Sequence, residues 1–284
     1  MKIKKLSEFI KKVLKKNVDF SSYDVVGTIA ILDIPPQLED NKLQIAKFLL
    51  SNNKHIKTVA IREQGRTKKF RIKKIKVILG QKTTQTINVE SGARFFVDLN
   101  KVYYNPRFSE ERLRIAKKVK DSETVIVMFS GIAPYPIIIE KKANPKKIVA
   151  IELNKTAHKF ALKNVEMNKC KKIELINGDV KEELAKKKYR NFADRIILPH
   201  PTEAENFLNL AIRCAKNKAM IHLYTFKKKD ETFEEIIKKI NQKIKKINRK
   251  ILTKIEEKRI VRPFSKELSQ IVLDIKIKKS NEKS

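Results

Sequence analysis

From about Ser109 onward the chain alternates between runs that read as helix and runs that read as strand, and this rhythm restricts the fold more than any other feature. A helix over 109–118 leads to a β-branched strand over 124–128, a turn containing Gly131, and a helix to about Lys141. A strand at 148–151, a helix over 155–168 and a strand at 173–176 follow. Next come a strand at 195–198, a helix over 202–215 and a strand at 219–226. Strands separated by helices cannot pair as hairpins, so the crossovers make them parallel, with helices on both faces. The end of the chain breaks this rule. After a long basic helix over 230–248, strand-like runs at 251–261 and 268–277 are joined by a short link, which predicts an antiparallel hairpin at the sheet edge. The expected fold class is α/β, with a Rossmann-like domain over residues 101–284.

Residues 1–100 read as a separate small α+β module. Strand candidates lie at 25–32, 58–61, 70–78, 83–89 and 94–99, with Gly27, Gly65, Gly80 and Gly92 at turns or bulges. The first residues are basic and amphipathic. With Ser7 as N-cap, Phe9, Ile10, Val13 and Leu14 share one helical face, as in a short helix docked on a domain. No run approaches the roughly 20 apolar residues of a spanning helix. Cys170 and Cys214 have no metal-ligand spacing, so no metal, no disulfide framework and a reducing cytoplasm are expected.

Hydrophobic residues make up 41% of the chain, enough for a proper core. Lys and Arg number 66 against 32 acids, a formal charge of +34 that favours a polyanionic partner. Over 65–80 basic residues alternate with Phe70, Ile72, Ile75 and Val77. That is the pattern of a half-buried strand with a basic outer face, and such a face suits an RNA backbone.

Four places carry candidate chemistry. The run VMFSGIAPYP, 127–136, is a strand feeding a small-residue turn and a helix, where Ser130, Gly131 and Ala133 let a ligand approach the backbone. It lacks GxGxxG, so a dinucleotide fingerprint is not supported. Glu152 ends the strand IVAIE and offers two oxygens to a ribose diol; the alternative is a solvated strand-end acid. Asp179 in NGDV ends the next strand and suits an adenine edge; the alternative is an Asp in a tight turn. Three such features in order, each at a strand end, outweigh any one alone. In YYNPRFSEERLRIA, 103–116, Asn105-Pro106 breaks the chain and Ser109 is placed to cap a helix that carries Glu111, Arg112 and Arg114. Glu111 reads either as a proton acceptor or as an ion-pair partner of the arginines.

These blocks resemble the archaeal and eukaryotic tRNA (guanine-37-N1)-methyltransferases. The resemblance runs through SSYDVVGTIAIL, FRIKKIKVILG, INVESGARFFVDLNKVYYNPRFSEERLRIA, MFSGIAPYP, AIELNKTAHKFALKNVEMNK, GDV, FADRIILPHP and IHLYTF, over about residues 20 to 278. It implies a Rossmann-like class I methyltransferase domain behind a small α+β RNA-binding domain. It further implies S-adenosylmethionine as cofactor and the anticodon loop of tRNA as substrate. A monomer with no membrane partner is expected. By resemblance, Arg71 and Tyr103 belong to the guanine site and Glu111 is the general base. The cofactor contacts fall to Arg112, Phe129, Ser130, Gly131, Pro134, Glu152, Leu153, Asp179, Val180 and Pro199. The sequence departs from the family where Val127 replaces an Asp, Ala133 a Gly, and Pro199 the Asn of an NLP motif. The family's additional N-terminal domain, which reads the outer corner of tRNA, is not expected within this length.

The implied reaction is an in-line methyl transfer. N1 of guanine carries a proton at neutral pH, so a carboxylate near N1 and a cation near O6 lower the barrier; Glu111 and Arg71 fit those jobs. A stacked base must turn out to reach such a pocket. Two alternatives belong to the same resemblance: aminocarboxypropyl transfer to the wyosine precursor at position 37, and a tRNA-binding homologue with weakened catalysis.

Overall fold

The structure, a computed structural model, describes residues 5–63 and 72–279. The chain divides into two compact units, Met1–Arg107 and Phe108–Ser284.

In the first unit, helix α1 (Leu6–Lys12) precedes β1 (Asp24–Val26), β2 (Ile29–Leu32), α2 (Lys42–Asn52), β3 (Thr58–Arg62) and β4 (Ile75–Gly80). Strands β1 to β4 form a sheet in sequence order, with β2 and β3 parallel because α2 carries the crossover. Strands β5 (Gln85–Glu90) and β6 (Ala93–Asp98) form a separate hairpin. Ile10, Leu32, Leu38, Ile45, Leu49 and Val59 are the heart of the first core.

Three expectations for this unit change. The run 25–32 is two strands, broken by a turn at Gly27 (φ +53°). A Cβ there would lie 2.1 Å from Thr86 Oγ1 and 2.5 Å from the Ile87 carbonyl, so only glycine lets the turn pass against β5. Helix α1 ends at Lys12 and begins at Leu6. Ser7 is therefore inside it, Leu6 and Ile10 are buried, Phe9 stacks on Phe48, and Val13 is left exposed. Helix α2 was not among the expected elements. The basic run 65–80 lies partly outside the described residues, and its described part pairs as β4 from Ile75.

The second unit contains α3 (Ser109–Lys118), β7 (Thr124–Val127), α4 (Pro134–Lys142), β8 (Lys147–Glu152), α5 (Lys155–Met167) and β9 (Ile173–Asn177). It continues with α6 (Val180–Ala185), β10 (Ala193–Leu198), α7 (Leu208–Cys214), β11 (Ala215–Lys228), α8 (Phe233–Ile247), β12 (Ile251–Pro263) and β13 (Leu268–Lys279). The seven-stranded sheet has the order β12-β13-β11-β10-β7-β8-β9. Strands β7 to β11 are parallel. The terminal hairpin is antiparallel, and its second strand inserts beside β11. The family's fold class is thus present: a Rossmann-like sheet whose order reverses between β7 and β10.

Local chemistry sets these elements. Every residue of β7 is buried, as a strand covered on both faces requires. Helix α8 starts with a capping box, Thr232 with Glu235, and buries Ile236, Ile240 and Ile244 at a spacing of four. The expected helix over 202–215 is a 3₁₀ turn at Ala204–Phe207 followed by α7. Ser109 is the first residue of α3 rather than its cap; Phe108 holds the cap position without a side-chain hydrogen bond. No helix among the described residues is long and apolar enough to cross a membrane.

Candidate active site

Ligands of open parallel sheets sit beyond the carboxyl ends of the strands where the strand order reverses. In the second unit that place is the turn after β7. Its backbone is forced: Phe129, Gly131 and Ala133 have φ of +53°, +57° and +65°. Non-glycine residues rarely adopt this region, and such strain marks functional turns. The turn is pinned by Ser130 N–H to the Ile151 carbonyl (2.9 Å) and by Asn164 Nδ2 to the Ile132 carbonyl (3.2 Å). Proline at the first turn of α4, including Pro134, fits a helix start, where a missing N–H costs nothing.

Two features of this turn bear on a ligand. A Cβ built on Gly131 meets nothing within 4 Å. Among the described residues, Ser130 Oγ is a buried side-chain oxygen with no hydrogen-bond partner. A buried hydroxyl left so is costly in isolation and fits a site that a polar ligand completes.

Glu152 closes the same site from β8. Its Oε2 accepts the Gly131 N–H and its Oε1 the Asn154 N–H, both at 2.7 Å. Burial raises its pKa, against the lowering effect of those backbone donors. Each oxygen keeps a lone pair, so a diol can still donate to both. Leu153 beside it is half exposed, an apolar surface at a strand end. Asp179 caps α6, accepting the Lys181 N–H at 2.6 Å, and Val180 is buried. The turn-like alternative for Asp179 therefore holds, yet one carboxylate oxygen caps and the other remains to meet a ligand edge.

Pro199 follows β10 and is half-buried. The His200 carbonyl is committed to the turn, accepting from the N–H groups of Glu203 and Ala204. The His200 ring packs on Phe129 (centroids 5.4 Å), and Phe207 meets Phe129 edge-on (4.9 Å). Phe207 is not evident from the sequence as a neighbour of Phe129, because it sits in a 3₁₀ turn that read as helix. Val127, at the position of the family's Asp, is fully buried in the sheet.

Glu111 and Arg112 lie in the first turn of α3, both 3% exposed. Glu111 is gripped by Arg114, with Nε to Oε2 at 2.9 Å and Nη2 to Oε1 at 2.8 Å. The Tyr224 hydroxyl donates to Oε1 at 2.6 Å. The ion-pair alternative for Glu111 is therefore present in the geometry.

Tyr103 belongs to the first unit and is 43% exposed. Its neighbour Tyr104 is buried, donates to Glu90 (2.6 Å) and accepts from Asn88 (2.8 Å). Asn88 in turn accepts the Gly27 N–H, and Asp24 pairs with both Arg62 and Arg107. These bonds explain why YDVVG, INVESG and YYNPR occur together. Arg71 lies outside the described residues.

Two family models match: a TRM5/TYW2 methyltransferase domain over residues 86–252 and a TYW2 N-terminal domain over residues 4–83. This chain belongs to the TRM5/TYW2 methyltransferase family. It is 34% identical to a tRNA (guanine(37)-N(1))-methyltransferase Trm5b of Methanocaldococcus jannaschii, covering 96% of this chain and 77% of that protein. It is 29% identical to a tRNA(Phe) (4-demethylwyosine(37)-C(7)) aminocarboxypropyltransferase of Pyrococcus horikoshii, covering 98% and 95%. Among solved structures, a complex of aTrm5 with tRNALeu superposes with a TM-score of 0.83 at 32% identity, covering 97% of this chain and 79% of that one. The methyltransferase-domain match begins at residue 86, in the first unit, and includes the turn after β7.

Proposed function

We propose that this protein transfers the methyl group of S-adenosylmethionine to N1 of guanosine 37 in tRNA. The match to the Trm5b relative over nearly the whole chain carries the substrate, and the turn after β7 supports the cofactor. The residues present fit that cofactor. Glu152 would hold its ribose hydroxyls, Leu153 and the α6 start with Asp179 and Val180 its adenine, and the turn from Phe129 to Pro134 its amino-acid end. Arg112 and Pro199 complete the set by resemblance. When bound, the cofactor supplies an electrophilic methyl group on a sulfonium. Glu111 accepts the proton that leaves N1 of guanine, while Arg71 and Tyr103 take the family's guanine-contacting roles. The formal charge of +34 favours the tRNA backbone as partner.

A second reading has its own support: the TYW2-type N-terminal match, and a similarity that spans 95% of an aminocarboxypropyltransferase. The two transfers take different carbons from one cofactor. The test uses cofactor labelled separately in the methyl and carboxyl carbons, with a tRNA transcript carrying guanosine 37 and with tRNA carrying 4-demethylwyosine. Methyl label in 1-methylguanosine supports the proposal. Carboxyl label on the tricyclic base selects the second reading, and no transfer from a cofactor-bound protein rejects both.

A further inference from the structure

The second unit buries a row of ionisable side chains that no cofactor contact uses. Arg195, His222 and Asp274 are 4%, 0% and 1% exposed. Arg195 Nη1 lies 2.7 Å from His222 Nε2. A guanidinium can only donate, so Nε2 must accept and carries no proton. Burial pulls the imidazole's pKa below its ordinary value, opposed by Asp274 and reinforced by Arg195 and Arg114. The neutral ring therefore keeps its proton on Nδ1, 2.6 Å from Asp274 Oδ1.

Asp274 also accepts from Arg114, through Nη1 at 2.7 Å and Nη2 at 3.3 Å. The remaining edge of the same guanidinium grips Glu111. Because the group is planar, the direction fixed at Asp274 is passed on to the Glu111 carboxylate. The neighbours complete the surroundings. Glu123 pairs with Arg195; Lys118 and Arg114 both reach Glu257; Lys118 also faces Asp274. Arg259 lies 3.9 Å from Glu111, and Tyr135 donates to Tyr224, which donates to Glu111. Buried ion sets are often no more stabilising than apolar residues of similar volume, so stability alone does not account for one this extended.

We propose that His222, Asp274 and Arg114 are positioning residues that hold the Glu111 carboxylate in one orientation for proton transfer, with the neutral His222 tautomer as the anchor. This rests on the reading of Glu111 as the proton acceptor. The first arm of the test is ¹⁵N-histidine NMR of the full chain. With 4 histidines, His222→Gln identifies the His222 signals. The expected result is an Nδ1–H ring that is still mostly neutral at about pH 6.5, the ordinary imidazole value. The second arm is single-turnover transfer to the guanosine-37 transcript against pH, at saturating labelled S-adenosylmethionine. Asp274→Asn should slow it at least tenfold and alter its pH profile without changing cofactor affinity. Tyr224→Phe, which removes the donor to Glu111 and the acceptor of the buried Tyr135 hydroxyl but little packing, should slow it a few-fold and lower the melting temperature less than Asp274→Asn does. A His222 mostly protonated at about pH 6.5, or neutral with its proton on Nε2, in an active enzyme overturns the relay alone. Variants that melt lower yet follow the wild-type rate at every pH reduce the row to a structural one. No transfer by the wild type overturns the functional reading and the positioning role with it.

Discussion

The two halves of the second unit's sheet build their sites by opposite means. Beyond β7 and β8 the contacts are backbone N–H groups, small side chains and one acid: Gly131 and Asn154 donate to Glu152, and Ser130 is held by its own N–H. Beside β11 and β13 the contacts are side chain to side chain and nearly all charged, linking Glu111, Arg114, Asp274, His222 and Arg195. A backbone-built site tolerates exchanges such as the family's Gly for Ala133, because the donors do not depend on the side chain. A charged row has no such tolerance, since removing one member leaves the next buried without a partner.

That contrast is broken most directly at Arg114. Arg114→Met should destabilise the protein by about 3–5 kcal/mol, because Glu111 and Asp274 both lose their cation in a buried setting. Denaturant unfolding measures this, and a cost below 1 kcal/mol would show that the row is screened by solvent. Next is Glu111→Gln. Three donors face the carboxylate, and an amide can accept on only one atom, so the proton acceptor and part of the Arg114 grip are lost together. Single-turnover methyl transfer should fall about 10²-fold or more, with cofactor affinity nearly unchanged.

Acid should act on the charged half first. His222 has its pKa lowered from 6.5 by burial, so below pH 6.5 the unfolded chain binds a proton that the folded chain refuses. Stability is then lost as pH falls from 6.5, by at most about 1.4 kcal/mol per pH unit for one group. The Asp274 contribution has the same sign but a lower window: its pKa is lowered from 3.8 by His222 and Arg114 despite burial, so it is lost only below pH 3.8. Melting curves between pH 8 and 5 should slope downward toward acid, and His222→Gln should flatten that slope. An equal slope in the variant would assign the effect elsewhere, His158 included, whose pKa burial also lowers.

The same contrast explains what could be read from the sequence. Glu152 and Asp179 were legible because strand–helix alternation fixes which residues end strands, and that is a local pattern. Arg114, His222 and Asp274 were not: the partners lie 160 and 52 residues apart. His222 faces Asp274 only because β13, and not β12, pairs with β11, with these two residues in register. An edge hairpin was expected, but its periodicity does not say which strand turns inward. In the first unit, the glycine at position 27 was visible as a turn, whereas its reason, the close passage of Thr86, needed the fold.

On the backbone-built side, Gly131 offers a sharper test than any acid there. At φ +57° an alanine is strained, and its methyl would enter open space rather than protein. If a ligand fills that space, Gly131→Ala should weaken S-adenosylmethionine binding about tenfold or more, roughly 1.4 kcal/mol, by calorimetric titration. Unchanged affinity would move the ligand away from this turn.

Ala133 gives the matched control and the smallest effect. It has the same left-handed backbone, φ +65° and ψ +38°, but its side chain is fully buried. A non-glycine residue there stores about 1–2 kcal/mol of strain. Replacement by glycine releases that strain and returns about 0.4–1 kcal/mol through the freer unfolded chain. Losing the buried methyl costs about 0.8 kcal/mol more, so the net for Ala133→Gly should lie within about 0.5 kcal/mol of zero. Cofactor affinity should stay within about twofold, because the N–H groups that shape the turn are unchanged. Different responses in the two variants, affinity lost at 131 and kept at 133, would place the ligand against the outward side of the turn. A parallel loss of affinity at both would mean that the turn binds through its rigidity, and that the strain at Ala133 is itself part of the site.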